Sequence, residues 1–248
     1  MNKTIKNYQE PQKVFDTGLQ AYMVRVYSNV TLSLLVTATS AAITLSLKPL
    51  MLLLFKFDEL GYMMGYTGAG YLVAFSPFFI AMYLGGRFLN MSLAQLRFLL
   101  GLYAAITGMS FASLAFVYTG ASLSKTFFIT AVMFGGMSLY GYTTKRNLTS
   151  MGSFCIMALW GIIISSLVNF FLQSELMYFI ISLAGVFVFI GLIAFRTQQL
   201  KNIYYSVSGT DVAVVEKTAL MGAFMLYLSF LNLFLFLLRF FGERRRRN

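Results

Sequence analysis

The sequence predicts an all-α integral membrane protein, a bundle of seven transmembrane helices. Composition is the first reason. Hydrophobic residues make up 58% of the 248 and charged residues 11%, with a mean hydropathy of +0.75. A soluble domain carries about 25% charged residues, enough to cover a polar surface, and this chain cannot cover one. The second reason is a set of seven stretches long and apolar enough to cross a bilayer, which takes about 20 residues. The third is the position of the 8 Asp and Glu, all of which fall outside those stretches.

The first stretch covers 30–47 and stops at Lys48-Pro49. The second, 64–84, lies between Asp58-Glu59 and Arg87, with a Gly- and Tyr-rich run at 61–70 where it begins. The third covers 96–118, and the fourth, 126–142, is closed by Lys145-Arg146. The fifth covers 151–172, the sixth runs over 177–195 to Arg196, and the seventh covers 218–238. This divides the chain into a polar N-terminal tail at 1–28, one transmembrane domain at 29–241 and a basic tail at 242–248. The N-terminal tail is too long and too polar for the n-region of a secretory signal, so it is read as retained.

Lys and Arg in short loops set orientation. Lys3, Lys6, Lys13, Arg25, Arg87, Arg97, Lys145, Arg146, Arg196, Lys201 and Lys217 fall with the N-terminus and the even-numbered connections. Only Lys48, Lys56 and Lys125 fall in the odd-numbered ones, which argues for a cytoplasmic N-terminus. Arg239 and the run Arg244 to Arg247 contradict this if all seven segments cross. Either that tail is translocated despite its charge, or the last segment is re-entrant. On the cytoplasmic side the arginine run would meet anionic headgroups; a plain topology signal is the simpler reading.

The composition also excludes chemistries. With no His, there is no imidazole base for a serine nucleophile and no imidazole ligand for zinc, so seven-helix zinc hydrolases are ruled out. Ser138, flanked by Gly136 and Gly141, lacks the spacing of a nucleophile elbow and reads as helix packing. The expectation is a non-enzyme with no cofactor and no nucleic-acid partner. The single Cys155 forms no intrachain disulfide. Small pairs such as Ala38 with Ala42, Gly65 with Ala69 and Gly161 with Ser165 are candidates for close helix packing. Asn169 and Asn232 read as interhelical hydrogen-bonding groups, or as part of a polar cavity wall. Ser229 and Asn232, three apart, share a face of the seventh helix, which also carries Tyr227. Carboxylates within spans usually mark proton relays and cation sites, and none is present here.

Three segments carry a resemblance: MSLYGYTTKRNLTSMG at 137–152, GLIAFRTQQLK at 191–201 and AFMLYLSFLNLFLFLLR at 223–239. Together, at this spacing, they resemble the Bax inhibitor family, the transmembrane Bax inhibitor motif proteins, and its bacterial branch in particular. The likeness extends over nearly the whole chain from the first span onward. It implies six helices around the C-terminal one, a calcium leak under pH control, a cytoprotective role and residence in a bacterial inner membrane. Some bacterial members are similar to modulators of a membrane-bound protease. The implied partners are therefore the lipid bilayer, calcium or another cation, and such a protease.

The chain departs from the family at two positions. The family's sixth helix ends in a Tyr/Phe-Asp-Thr-Gln pattern and its seventh carries Leu-Asp-Phe. Those two aspartates form the family's pH-sensing dyad. Here the matching positions hold Arg196 and Ser229. Two close carboxylates share a proton and titrate together, and an Arg with a Ser cannot. The family also pairs one acid with an Arg of the second helix, for which Arg87 is the candidate. Arg196, Ser229, Asn232, Tyr227 and Arg87 are thus the candidate pore and gating residues. A leak without proton control, or no calcium conduction, is expected. The alternative is a non-conducting regulator of a membrane protease or another membrane partner, with the N-terminal tail and the stretch from Lys201 to Lys217 as its handles. A transporter would need a coupling site or inverted repeats, and neither is legible.

Overall fold

The structure, a computed structural model, describes residues 16–245. Seven of its helices are long and apolar enough to cross a membrane. The first, α1 (Thr17–Ser46), begins at Asp16, whose carboxylate accepts from the Leu19 amide at 2.9 Å. Helix therefore reaches well into the stretch 1–28 read as a polar tail; 1–15 lie outside the described residues. A short helix, α2 (Lys48–Leu54), follows with Pro49 in its first turn, where a missing N–H costs nothing. An antiparallel ribbon then intervenes, β1 (Phe55–Phe57) with β2 (Met63–Tyr66), pairing Phe55 with Tyr66. Gly61, at φ +80°, turns the loop between them. The second crossing thus starts later than the sequence suggested, at α3 (Gly68–Arg87), where the Thr67 hydroxyl caps the Gly70 amide.

Pro77 lies inside α3 and cannot donate to the carbonyl of Val73. In lipid that carbonyl must be satisfied by protein. Two hydroxyls do so: Ser76 at 3.0 Å from its own helix, and Ser110 at 3.1 Å from the next. That next crossing is split into α4 (Leu93–Phe111) and α5 (Leu114–Val117). Ser92 and Gln95 form a reciprocal capping box at its start. Then come α6 (Gly120–Thr143), α7 (Thr149–Leu172), α8 (Glu175–Val207) and α9 (Val212–Phe241).

The last helix occupies the centre. In its most apolar window 72% of residues are buried, against 6% for α3 and 11% for α7. Helices α1, α4, α6 and α8 pack directly on α9, whereas α3 leans chiefly on α4 and α7 chiefly on α8. Two glycines permit close approach of the backbones of crossing helices. A Cβ on Gly108 of α4 would fall 2.3 Å from the Thr37 carbonyl oxygen of α1, and one on Gly141 of α6 would fall 2.2 Å from that of Ala194 in α8. Gly161, in one of the small pairs proposed from sequence, has open space instead.

The crossings place Asp16 and the connections 88–92, 144–148 and 208–211 at one end, and the ribbon, Tyr118-Thr119 and Gln173-Ser174 at the other. The C-terminal segment joins the second group. The Thr119 amide donates to the Glu243 carbonyl at 3.0 Å, and the Arg245 amide to that of Val117 at 2.9 Å. The last segment is therefore a full crossing, and a re-entrant reading is ruled out.

Candidate functional site

Helix α8 has 33 residues, so it is about 50 Å long and overshoots a hydrocarbon core of about 30 Å. Arg196, which the sequence placed at the end of the sixth span, instead lies within this helix, with eleven helical residues beyond it. Gln198, two residues on, fixes its level. The Gln198 side chain accepts from the Leu148 amide at 2.8 Å and donates to the Arg146 carbonyl at 2.7 Å. Arg196 thus sits about half a turn inside the end of the bundle where α6 joins α7.

From there a cavity of about 500 Å³ opens between α7, α8 and α9. Arg196, Ser229, Asn232 and Ser166 supply its polar lining, and Ile162, Phe189, Leu228 and Phe236 are among its apolar walls. Ser229 and Asn232 do share one face of α9, as their spacing predicted. Ser229 is buried, and Asn232 belongs to the least covered flank of α9, where Met221, Met225, Leu228, Asn232 and Leu235 are each only half-buried. The cavity occupies the space that α7 leaves by leaning on α8 rather than α9.

The side-chain bonds here are mostly local. Ser229 Oγ donates to the Met225 carbonyl at 3.0 Å, and Asn232 Nδ2 to that of Leu228 at 2.8 Å. Arg196 Nη1 donates to Gln199 Oε1 at 2.9 Å, one turn along its own helix. Asn169 accepts from the Ser174 amide at 3.0 Å and so closes the α7–α8 turn. Neither asparagine bridges two helices through these bonds. Among the described residues both ion pairs go to Glu216: Arg25 at 3.1 Å and Arg97 at 3.0 Å. Glu216, which the sequence placed in a loop, lies on α9 and ties that helix to α1 and α4.

Neighbouring cavities extend the space in both directions. Towards the C-terminal end, one of about 660 Å³ shares Ser166 and adds Asn169, Gln173, Glu175, Arg239 and Arg244. Towards the other end, one of about 80 Å³ shares Arg196 and Met225 and adds Phe88, Gln199 and Thr218. The three follow one another along the bundle as a chain linked by shared lining residues, and Arg196 lines both the second and the narrow third.

Two sequence candidates lie elsewhere. Tyr227, fully buried, faces α1 and α4; its hydroxyl lies 2.6 Å from Thr37 Oγ1, and its ring meets Tyr103 edge-on. Arg87 is exposed at the end of α3 and lines none of these three cavities. Gln199 was missed from sequence, although an Arg and a Gln three apart on a helix are within reach of each other.

The sequence model of the family described as "Inhibitor of apoptosis-promoting Bax1" matches residues 19–246. This chain belongs to the Bax inhibitor family. It is 48% identical over 94% of its length to the protein RP147 of Rickettsia prowazekii, of which the match covers 94%. It is 42% identical over 92% of its length to the inner membrane protein YbhL of Escherichia coli, again covering 94% of the relative. YrjE of Lactococcus lactis is 34% identical over 91% of this chain and 92% of its own. The Bax inhibitor match takes in all seven crossings, the cavity chain and Arg196.

Proposed function

We propose that the chain is a non-enzymatic small-ion leak protein of a bacterial inner membrane, with a cytoplasmic N-terminus, in which the acid-pair pH switch is missing and calcium is poorly carried. The chain of cavities, with Arg196 lining its narrow part, is the observation that carries this reading. The cavity between α7, α8 and α9 has a guanidinium in its lining and no carboxylate. Calcium requires several oxygen ligands, usually with carboxylates among them, and a fixed cation opposes a divalent one. Arg stays charged across the physiological range and Ser does not titrate within it, so neither can gate flux with pH. The test is purified protein in liposomes loaded with a calcium dye. Calcium entry should be low and change less than about twofold between pH 5 and 8, where a carboxylate dyad would titrate. A steep pH dependence of calcium flux would overturn the reading.

A second reading, regulation of a membrane-bound protease, is favoured by one feature. Gln198 is already level with the α6–α7 connection, so 201–216 form a helical hairpin that runs beyond that connection alongside the start of α1, where Tyr204 packs on Tyr22. Co-purification with a protease that is lost on deleting this hairpin, combined with no ion flux, would replace the leak reading with this one.

A further inference from the structure

We propose that the cavity between α7, α8 and α9 is an anion-binding site, with Arg196 as its counter-charge. This rests on the reading of the cavity chain as an ion path and names the class of ion it holds.

Burying a guanidinium without a counter-charge is costly, and membrane proteins normally compensate it with an acid. Arg196 is half-buried and has only the neutral Gln199 side chain as a hydrogen-bond partner. Of the acids nearest to it in chain order, Asp211 lies in the α8–α9 connection at the bundle end and lines neither cavity that Arg196 lines, and Glu216 is held by Arg25 and Arg97. The facing elements offer Ser166 from α7 and Ser229 and Asn232 from α9, none of them charged. Among the described residues no acid supplies the compensation, and the cavity is large enough to admit it from outside.

The donors suit an anion. A guanidinium has five N–H groups, and Gln199 takes one. Asn232 spends one amide hydrogen on Leu228 and keeps the other; the Ser166 hydroxyl can rotate toward a ligand, and that of Ser229 can do so by giving up its bond to the Met225 carbonyl. No carboxylate lines the space to repel a negative group. The occupant is a small inorganic anion from water or the phosphate of an anionic lipid, which could reach the cavity along the half-covered flank of α9. Both bring the same chemistry to Arg196.

Thermal unfolding of the full chain, followed through its single tryptophan, Trp160, separates these sources. In phosphatidylcholine nanodiscs, Tm is compared in sodium gluconate, chloride and phosphate at one ionic strength. In a second arm phosphatidylglycerol replaces part of the phosphatidylcholine, in gluconate. Wild type should gain stability from chloride or phosphate, from phosphatidylglycerol, or from both. A gain from salts only assigns a free ion, and one from lipid only assigns a headgroup. Arg196→Gln should weaken the apparent affinity by roughly tenfold or more, the loss expected for one charge-assisted contact. Without a small anion, Arg196→Gln should be at least as stable as wild type, because it removes an uncompensated charge. Should that variant not fold, Asn232→Leu and Arg196→Lys replace it, with the first weakening the response and the second retaining part of it. Equal responses in wild type and variants, or none in wild type, overturn the proposal. The readout involves no gradient, so a failed leak assay and a failed binding result are independent outcomes.

Discussion

On the proposed leak reading, replacing Arg196 and Ser229 together by Asp should turn the cavity between α7, α8 and α9 into a pH-dependent calcium path. Both side chains line the same space of about 500 Å³. A sphere of that volume has a radius of about 5 Å, so an ion at its centre meets the charged wall at about that distance; at an effective dielectric of about 20, a divalent ion is repelled there by roughly 7 kcal/mol. Each carboxylate in place of the guanidinium reverses the sign. Water and relaxation reduce the swing, but every 1.4 kcal/mol of lowered barrier is a factor of ten in rate. At least a tenfold rise in calcium entry at pH 8 is therefore expected in proteoliposomes. The sign with pH follows from the acids. Both are ionised at high pH, and the pair takes up its first proton at a raised apparent pKa because like charges resist coexisting. Flux should accordingly fall as pH drops from 8 to 5. A folded double variant with wild-type calcium flux and no pH dependence would refute the electrostatic argument, as would a wild type that already conducts calcium steeply with pH.

Gly141→Val should lower stability by about 2 kcal/mol or more, since even its Cβ would fall 2.2 Å from the Ala194 carbonyl oxygen; Gly161→Ala, in open space, should be near neutral, and Trp160 fluorescence during melting reads both. Tyr227→Phe removes the hydroxyl at 2.6 Å from Thr37 and should cost about 1 kcal/mol, with strong coupling to Thr37→Val in a double-mutant cycle. Glu216→Gln frees Arg25 and Arg97, both largely exposed, so the loss should be about 1 kcal/mol or less and should shrink further at 1 M salt. Reporters fused to the two termini should appear on opposite faces of the membrane; the same face for both would refute the seventh crossing.

The crossings were legible because apolar length is a local property of the chain, and seven stretches of it needed no partner to be recognised. The shared face of Ser229 and Asn232 was legible for the same reason, as a consequence of helical spacing. Helix ends were less so. Arg196, Lys201 and Glu216 read as loop residues because charge normally ends a span, yet α8 and α9 run on as helix beyond the apolar zone. The β1–β2 ribbon was hidden because β1 has only three residues and β2 falls in the Gly- and Tyr-rich run with no alternating pattern. The cavity could not be read at all. It exists because α7 leans on α8 instead of α9, a matter of packing between segments distant in sequence. Tyr227 shows the limit of reasoning from one helix: two residues from Ser229, it points to α1 and α4 and into a different environment.

Part of the basic C-terminal end, which seemed to oppose seven crossings, is held by contacts; Arg246 and Arg247 lie outside the described residues. The Arg239 guanidinium lies 5.2 Å from the ring centre of Tyr178 and 5.0 Å from that of Phe236. Arg244 bridges to Tyr118, and the Arg245 amide bonds to Val117. Burial of Tyr118 pushes its hydroxyl above the usual tyrosine range, so it stays neutral beside Arg244 at physiological pH. Positive charge steers insertion mainly while it is free to interact with the membrane and its potential. Here it closes the bundle end against 117–122, and Arg239 and Arg244 also line the wide mouth of the cavity chain, facing Glu175. On the proposed leak reading an ion meets the Arg196 guanidinium at the narrow part of its path and Arg239 and Arg244, opposite Glu175, at the wide mouth, so changing Arg196 alone should relax the exclusion of cations only in part.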